Sequence, residues 1–179
     1  MSKFSMDLES FIGRSPRFFE VIKLLLINHS VQCTFLFRMQ SFLYKKKVPI
    51  LPNFIKWLNI FITGADIGIS TEIGEGLNIR HTNGIVIGNG VVIGKNCTIL
   101  HQVTLGERYG DGSDPLHAYP IVGDNVVISA GVKIIGGISI GNDVMIGANA
   151  VVVKDVPANN IAIGIPAVNK LKKIEEVIK

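Results

Sequence analysis

Histidine supplies the strongest candidates for acid–base chemistry in this 179-residue sequence, which contains four of them. An imidazole exchanges a proton near neutral pH, so each histidine is weighed as a general base. His81 is favoured because the aliphatic pattern around it slips by two residues, which predicts an outward bulge on a rigid scaffold. His101 follows an apolar pair and is expected to pack at an interface. His29, at the end of a predicted helix, is expected to be structural.

The aliphatic pattern around His81 has a period of six residues and defines thirteen positions, each occupied by Ile, Leu or Val. They are Ile67, Ile73, Ile79, Ile87, Ile93, Ile99, Leu105, Val122, Ile128, Ile134, Ile140, Ile146 and Val152. Eight of these are followed by glycine. The period fits a short strand with one inward aliphatic residue and then a tight corner, and three such units close a triangular coil. The sequence therefore predicts stacked coils, paired in parallel, around an aliphatic column.

The predicted organisation has three parts. Residues 1–63 are assigned to an N-terminal helical segment, 64–170 to the coiled repeat, and 171–179 to a C-terminal helical tail. Helices are predicted over 17–28, with Ser15 as the cap, over 31–44 and over 54–62. The polar stretch 107–120 departs from the pattern and is predicted to project as a loop. The segments before and after the repeat are placed to cap the ends of the column.

Composition excludes several classes of protein. Apolar residues make up 47% of the chain and charged residues 18%, which excludes wholesale disorder. No uncharged apolar run reaches about eighteen residues, so a membrane-spanning helix is not expected. No export signal is evident, and the two cysteines have no CxxC spacing, which favours a reducing cytoplasm.

Basic residues are concentrated near the N-terminus. Residues 1–63 contain nine Lys or Arg against three acidic residues, a net charge of +6. This charge favours either an anionic partner, such as the inner face of a membrane, or a helical cap whose apolar face packs on the repeat; the cap is preferred. Nucleic acid is a poor candidate because the sequence has no reader motif.

Four motifs within the repeat resemble the hexapeptide-repeat acyltransferases. They are Asp66-Ile67, the segment 81–88 (HTNGIVIG), Val103-Thr104-Leu105-Gly106 and Gly164-Ile165-Pro166-Ala167. They look most like the serine acetyltransferase branch, which includes enzymes that acetylate sugar hydroxyls of surface polysaccharides. The resemblance implies a mainly β fold, a left-handed parallel β-helix, and a homotrimer with sites between subunits. It also implies acetyl-coenzyme A as co-substrate, direct attack of a hydroxyl on the thioester, and no metal.

The resemblance assigns roles to particular residues. His81 falls on the general base and Asp66 on the carboxylate that orients it. Contacts to the acceptor are assigned to Arg80, Asn83, His117 and Tyr119. Contacts to the cofactor are assigned to Ala130, Ala148, Val153, Lys154 and Lys170.

Two departures from serine acetyltransferases concern the acceptor. Arg80 stands where an Asp usually precedes the base, and Ala118-Tyr119 stand in place of an Arg-His pair. Because those family residues grip the ammonium and carboxylate of serine, the departures favour a sugar hydroxyl as acceptor. Serine O-acetylation is the alternative. A non-catalytic β-helix used as a scaffold is the alternative of another class.

Overall fold

The computed structural model of the chain describes residues 2–108 and 118–172, and it begins with four helices. These are α1 (Lys3–Ile12), α2 (Phe18–Ile27), α3 (His29–Lys45) and α4 (Leu51–Thr63). Helices α2, α3 and α4 confirm the three predicted helices to within a few residues. Helix α1 was not predicted, although Ser2 caps its start by accepting from the backbone N–H of Ser5, at 3.2 Å.

Two details of the predicted helices were wrong. The residue before α2 is Arg17, whereas the hydroxyl of Ser15 donates to Glu9 at 2.8 Å instead of capping the helix. His29 is the first residue of α3, so it lies at the positive end of a helix dipole. The chain turns sharply at Asn28, whose side chain caps α3, and the sequence pattern had not distinguished the two sides of that turn.

Fifteen short strands follow in the described residues. They are β1 (Asp66–Ile67), β2 (Glu72–Ile73), β3 (Asn78–Arg80), β4 (Val86–Ile87), β5 (Val92–Ile93), β6 (Thr98–Leu100), β7 (Thr104–Gly106), β8 (Ile121–Val122), β9 (Val127–Ile128), β10 (Lys133–Ile135), β11 (Ser139–Ile140), β12 (Met145–Ile146), β13 (Val151–Val152), β14 (Asn160–Ile163) and β15 (Val168–Leu171).

The strands form three sheets, in which each strand pairs with its equivalent in the next coil. The sheet orders are β1-β4-β7-β10-β13, β2-β5-β8-β11 and β3-β6-β9-β12-β14-β15. All pairs are parallel except β14 with β15. Each coil therefore contributes one strand to each face of a three-sided prism, which confirms the predicted parallel β-helix preceded by helices.

The column inside the prism consists of the predicted aliphatic positions. All thirteen side chains are at most 4% exposed, and they form one cluster with smaller residues such as Cys97 and Val103. The corners bring successive coils very close: a Cβ at Gly74 would lie 2.6 Å from the carbonyl oxygen of Gly94. Only glycine fits at such a corner, and this is why glycine so often follows the aliphatic residue.

The helical segment caps the first coil of the column. Asp7 and Arg38 are ion-paired at 2.7 Å, and together they bind the backbone of that coil at Leu77, Ile73 and Gly74. Gln40 donates to the carbonyl oxygen of Ile67 at 2.9 Å. Open edges of a sheet must be covered or paired, and these side chains do so for the first strands.

At the other end, the antiparallel hairpin of β14 and β15 covers the last coil. Leu171, the first residue of the predicted helical tail, belongs to β15 and pairs with Asn160, so that boundary was wrong. The rest of the tail, 173–179, lies outside the described residues, as does the part of the predicted loop at 109–117.

The helical segment leaves apolar side chains on its surface. Exposed ones include Phe18, Phe19, Leu26 and Ile27 of α2 and Phe54, Trp57 and Phe61 of α4. In the described part of the chain no single helix has the length and apolarity to cross a membrane. The bent pair α2–α3, at 99°, meets those criteria only when the two helices are taken together. Contact of residues 1–63 with a membrane surface stays a prediction.

Candidate functional site

The predicted bulge lies between β3 and β4. Five residues separate these strands, whereas three separate β6 from β7 at the equivalent corner of the next coil. His81 begins the bulge with a left-handed backbone, φ 60°. Thr82 anchors it, because its buried hydroxyl donates to the carbonyl oxygen of Thr63 at 2.6 Å. The two extra residues thus hold an exposed imidazole at a fixed place on one edge of the prism.

A cleft of about 440 Å³ opens beside this imidazole. It is lined by His81, Asn83, Gly84, His101 and Gln102. The rings of His81 and His101 meet edge to face, with centroids 6.0 Å apart. The backbone N–H of Gln102 donates to the carbonyl oxygen of Asn83 at 3.0 Å, which fixes the spacing of the two coils. His81 and Asn83 therefore line the same cleft, and their roles stay predictions.

His101 is a cleft residue that the sequence analysis had placed at an interface. It lies one coil beyond His81, and the separation of twenty residues was the signal available in the sequence. Its Nδ1 is buried and has no hydrogen-bond partner in the described part of the chain.

A second groove, of about 470 Å³, lies on the other side of His81. The bulge forms one wall, and the ends of α1 and α2 with the start of α3 form the other. Arg80 lines this groove together with His81 and Asn83. In a regular strand consecutive side chains point to opposite faces, and the left-handed conformation at His81 breaks that alternation.

Asp66 lies near the same corner but is paired differently from the prediction. Its Oδ1 is 2.7 Å from the ammonium nitrogen of Lys56, and no hydrogen bond joins it to His81 among the described residues. Asp66 follows Gly64 by two residues, and the carbonyl oxygen of Gly64 accepts from the bulge residue Gly84. The structure thus places Asp66 beside the bulge, while its role in orienting the imidazole stays a prediction.

Two of the predicted cofactor residues lie on the edge that carries the cleft. Gly131 donates its N–H to the carbonyl oxygen of His101 at 3.0 Å, and Asn149 donates to Ala130 at 2.9 Å. The corners at 81–84, 101–102, 130–131 and 148–149 are therefore stacked in successive coils. Ala130 and Ala148 leave this edge open beyond the imidazole, because neither carries a bulky side chain.

The remaining cofactor residues lie elsewhere. Val153 follows β13 at the other end of that strand, and its carbonyl oxygen accepts from Arg108 at 3.5 Å. Lys154 is exposed beside it, and Lys170 is exposed on β15, paired with Ile161. The structure does not bring these three residues to the edge of the cleft.

Tyr119 does not line either cleft. Its ring covers the glycines at 88 and 90, where an added Cβ would lie 2.9 Å and 2.8 Å from ring carbons, and it packs on the column. Bulk at these glycines would displace the ring, so Tyr119 has a packing role. His117, the other predicted acceptor contact from this stretch, lies outside the described residues.

Neither cysteine is placed to act as a nucleophile. Cys33, on helix α3, and Cys97, in the column, are both fully buried. Burial raises the pKa of each thiol to about 11, because a thiolate is poorly solvated there. At neutral pH both remain thiols, so a covalent intermediate on cysteine has no support and direct transfer between two substrates is favoured.

The comparisons with known proteins agree with this architecture. The family model for bacterial transferase hexapeptide (six repeats) matches residues 119–154. A serine acetyltransferase of Helicobacter pylori strain J99 is 36% identical over 167 residues, which cover 93% of this chain and 96% of that protein. A serine acetyltransferase of Synechococcus elongatus is 34% identical over 160 residues, 89% of this chain and 64% of that one.

Solved structures give the same match. Serine acetyltransferase of Neisseria gonorrhoeae in complex with serine has a TM-score of 0.80 at 34% identity, covering 92% of this chain and 66% of that chain. The Brucella abortus enzyme in complex with coenzyme A has a TM-score of 0.81 at 30% identity, covering 93% and 65%. The chain thus spans just under two thirds of these longer relatives and nearly all of the Helicobacter one.

The coiled repeat and its corner site define a hexapeptide-repeat transferase. Within that class the chain belongs to the serine acetyltransferase family. The saccharide acceptor that the sequence analysis preferred finds no support among these relatives, which favour its serine alternative.

Proposed function

We propose that the protein is an acetyl-coenzyme A-dependent serine O-acetyltransferase. One observation carries the proposal: the bulge holds an accessible imidazole on the edge where Ala130 and Ala148 leave room for a long thiol cofactor, in a chain similar to serine acetyltransferases over nearly its whole length. Relatives solved with serine and with coenzyme A support both substrates.

The proposed reaction uses His81 as the base. Its imidazole takes the proton of the serine hydroxyl while the hydroxyl oxygen attacks the thioester carbonyl carbon. Backbone N–H groups of the corner stabilise the negative charge that develops on the carbonyl oxygen. The carbon–sulfur bond then breaks, and the leaving thiolate of coenzyme A receives the proton from His81. The products are O-acetylserine and free coenzyme A.

The rest of the assembly follows from the same proposal. Coenzyme A lies along the stacked corners, with its acetyl group at the His81 cleft. Its nucleotide end must leave this edge to reach the basic residues Lys154 and Lys170. A cytoplasmic homotrimer would complete each site with the outer face of a neighbouring prism. Exposed aliphatic residues on the strands, such as Ile121, support such an assembly.

The test is a thiol-release assay with acetyl-coenzyme A and L-serine on the wild type and His81→Ala. Loss of the base should lower kcat by about 10²–10⁴-fold. The variant should keep the increase in melting temperature that acetyl-coenzyme A gives the wild type, because the cofactor edge is untouched. Turnover within a few-fold of wild type would remove His81 from this role. No thermal shift in the wild type would favour a non-catalytic scaffold.

A further inference from the structure

Arg80 occupies an unusual place beside the base. It is the last residue of β3, it lines the second groove next to His81, and no Asp or Glu is among the described residues that line this groove. The other wall includes His29 and Ser30, at the positive end of the 17-residue helix α3. The groove beside the imidazole is therefore electropositive.

The guanidinium of Arg80 is held in place before any ligand binds. Its Nε donates to the Oδ1 of Asn78 at 3.1 Å, and its carbon lies 5.3 Å from the ring centroid of Phe11. Asn78 is itself 7% exposed and donates to the carbonyl oxygen of Ser10. A fixed side chain loses little rotamer entropy when it binds a ligand, which favours affinity. The two Nη groups donate to none of the described residues.

A planar guanidinium with two free N–H-bearing nitrogens matches a carboxylate, which it binds through two parallel hydrogen bonds. The same charge repels an ammonium group, so the ammonium of a bound amino acid must point away from Arg80. The loss of the Arg-His pair at Ala118-Tyr119 removes the carboxylate contact that the family resemblance implied, and Arg80 supplies a cation on the other side of the base.

We propose that Arg80 binds the carboxylate of the acceptor in this groove, so that the acceptor is a hydroxy acid whose hydroxyl reaches His81. The inference rests on the proposed function for the position of the base. Its chemistry is shared by two sources, a free hydroxy amino acid such as serine and an acidic sugar such as a uronate. Arg80 is then a residue that determines specificity, and the proton transfer remains with His81.

The experiment compares Arg80→Gln and Arg80→Lys with the wild type, using L-serine and serinamide, which keeps the ammonium and hydroxyl but lacks the carboxylate. We expect Arg80→Gln to lower kcat/KM for serine by about 10- to 100-fold, mainly through KM, because two charged hydrogen bonds are lost. Serinamide should be a poor substrate of the wild type, and the substitution should not weaken it further. Arg80→Lys, which keeps the charge without the planar fork, should lie between.

Controls separate binding from folding. Arg14→Gln removes a different exposed arginine, paired with Glu20, and should leave both kinetic constants unchanged. Melting temperatures show whether losing the stack on Phe11 unfolds the chain, in which case Arg80→Lys carries the comparison. Equal losses with serine and serinamide, or no loss with serine, would overturn the proposal.

A second arm distinguishes this inference from the proposed function. If the wild type does not acetylate serine, the same variants are tested with glucuronate and its neutral counterpart glucose. Preference for the acid that disappears in Arg80→Gln would keep the inference and reject serine as acceptor. Preference for glucose over glucuronate would reject the carboxylate site at Arg80 as well as serine as the acceptor. Should nothing be turned over, the absence of any Arg80-dependent thermal shift with serine or glucuronate would reject the carboxylate site.

Discussion

At the scale of single residues, the backbone of His81 matters as much as its ring. A left-handed conformation at a residue other than glycine costs about 1–2 kcal/mol and persists only where its surroundings impose it. Here Thr82 binds Thr63 at the end of α4 and Gly84 binds the adjacent Gly64, so both contacts fix the bulge to the junction of α4 and the first coil. Regular corners also contain left-handed residues, such as Gln102 with φ 58°, so the two extra residues are what distinguish this corner. Arg80 and His81 line one groove beside it.

The role of Asp66 is open to a direct test at the same scale. Its ion pair with Lys56 involves a carboxylate that is 42% exposed, and such pairs contribute about 0–1 kcal/mol. Asp66→Asn should therefore change stability little. If the carboxylate also orients the imidazole during turnover, kcat should fall by at least about tenfold with KM nearly constant. Steady-state kinetics and a thermal melt together measure both effects.

Lys56→Met is the matched control for Asp66. It removes the ion pair and keeps the carboxylate, so kcat should stay at the wild-type value. A fall in kcat with Lys56→Met equal to that with Asp66→Asn would show that the pair, rather than an Asp66–His81 contact, supports activity. Unchanged kcat in both variants would remove Asp66 from the site.

Prediction from sequence succeeded where a residue's place follows from spacing. The slip of two residues between Ile79 and Ile87 located the bulge and its histidine. Spacing does not say where a long side chain lies, so the stack of Arg80 on Phe11 was not predictable. The resemblance assigns Tyr119 to the acceptor through the loop at 107–120, whereas its packing over two glycines of the column could not be read from spacing. Its contact with the acceptor stays a prediction.

At the scale of elements, the first coil depends on the helical cap. The carboxylate of Asp7 is 1% exposed and accepts from Arg38 and from the backbone N–H of Leu77, at 2.7–2.9 Å. Arg38 in turn donates to two carbonyl oxygens of the coil. The pair thus substitutes for the strand neighbours that the first coil lacks.

Asp7→Asn should destabilise the protein strongly. The guanidinium of Arg38 would remain in a largely buried place without its partner, and such a change costs about 3–5 kcal/mol. Urea denaturation measures the free energy of unfolding. Glu20→Gln, at the exposed pair with Arg14, is the control and should leave the midpoint unchanged. A loss no larger than in that control would mean that the cap does not depend on the pair.

Helix α1, which carries Asp7, shows why the strands of the repeat could be predicted from the sequence and a short helix could not. The repeat gives thirteen mutually consistent positions, so chance errors at single residues do not hide it. A ten-residue helix offers only its ends: Ser2 as N-cap and Gly13, with φ 80°, as C-cap. Two end signals without a repeat to reinforce them do not define a helix, and the contact of Arg38 with a coil thirty-five residues later is tertiary.

At the scale of the whole molecule, aliphatic residues that point into the column and aliphatic residues that point away from it have different roles. Ile128, in β9, is fully buried in the column. Ile121, in β8, is 53% exposed and lies beside Val92, 38% exposed, on the neighbouring strand. Burial within the chain accounts for an aliphatic residue at 128, and a subunit interface of the proposed trimer accounts for the exposed aliphatic residues at 121 and 92.

Two substitutions separate these roles. Ile128→Ala should lower the free energy of unfolding by about 2–5 kcal/mol, because it leaves a cavity in a packed column, and it should not change the molar mass.

Ile121→Lys should leave the free energy of unfolding nearly unchanged, because its side chain points away from the column. A charge in the interface should instead shift the molar mass measured by light scattering from three chains of 19.4 kDa towards one. Since the proposed site lies between subunits, turnover should fall with the trimer fraction. A trimer that survives Ile121→Lys would place the interface on another face, and a wild-type monomer that is active would mean that each prism completes its own site.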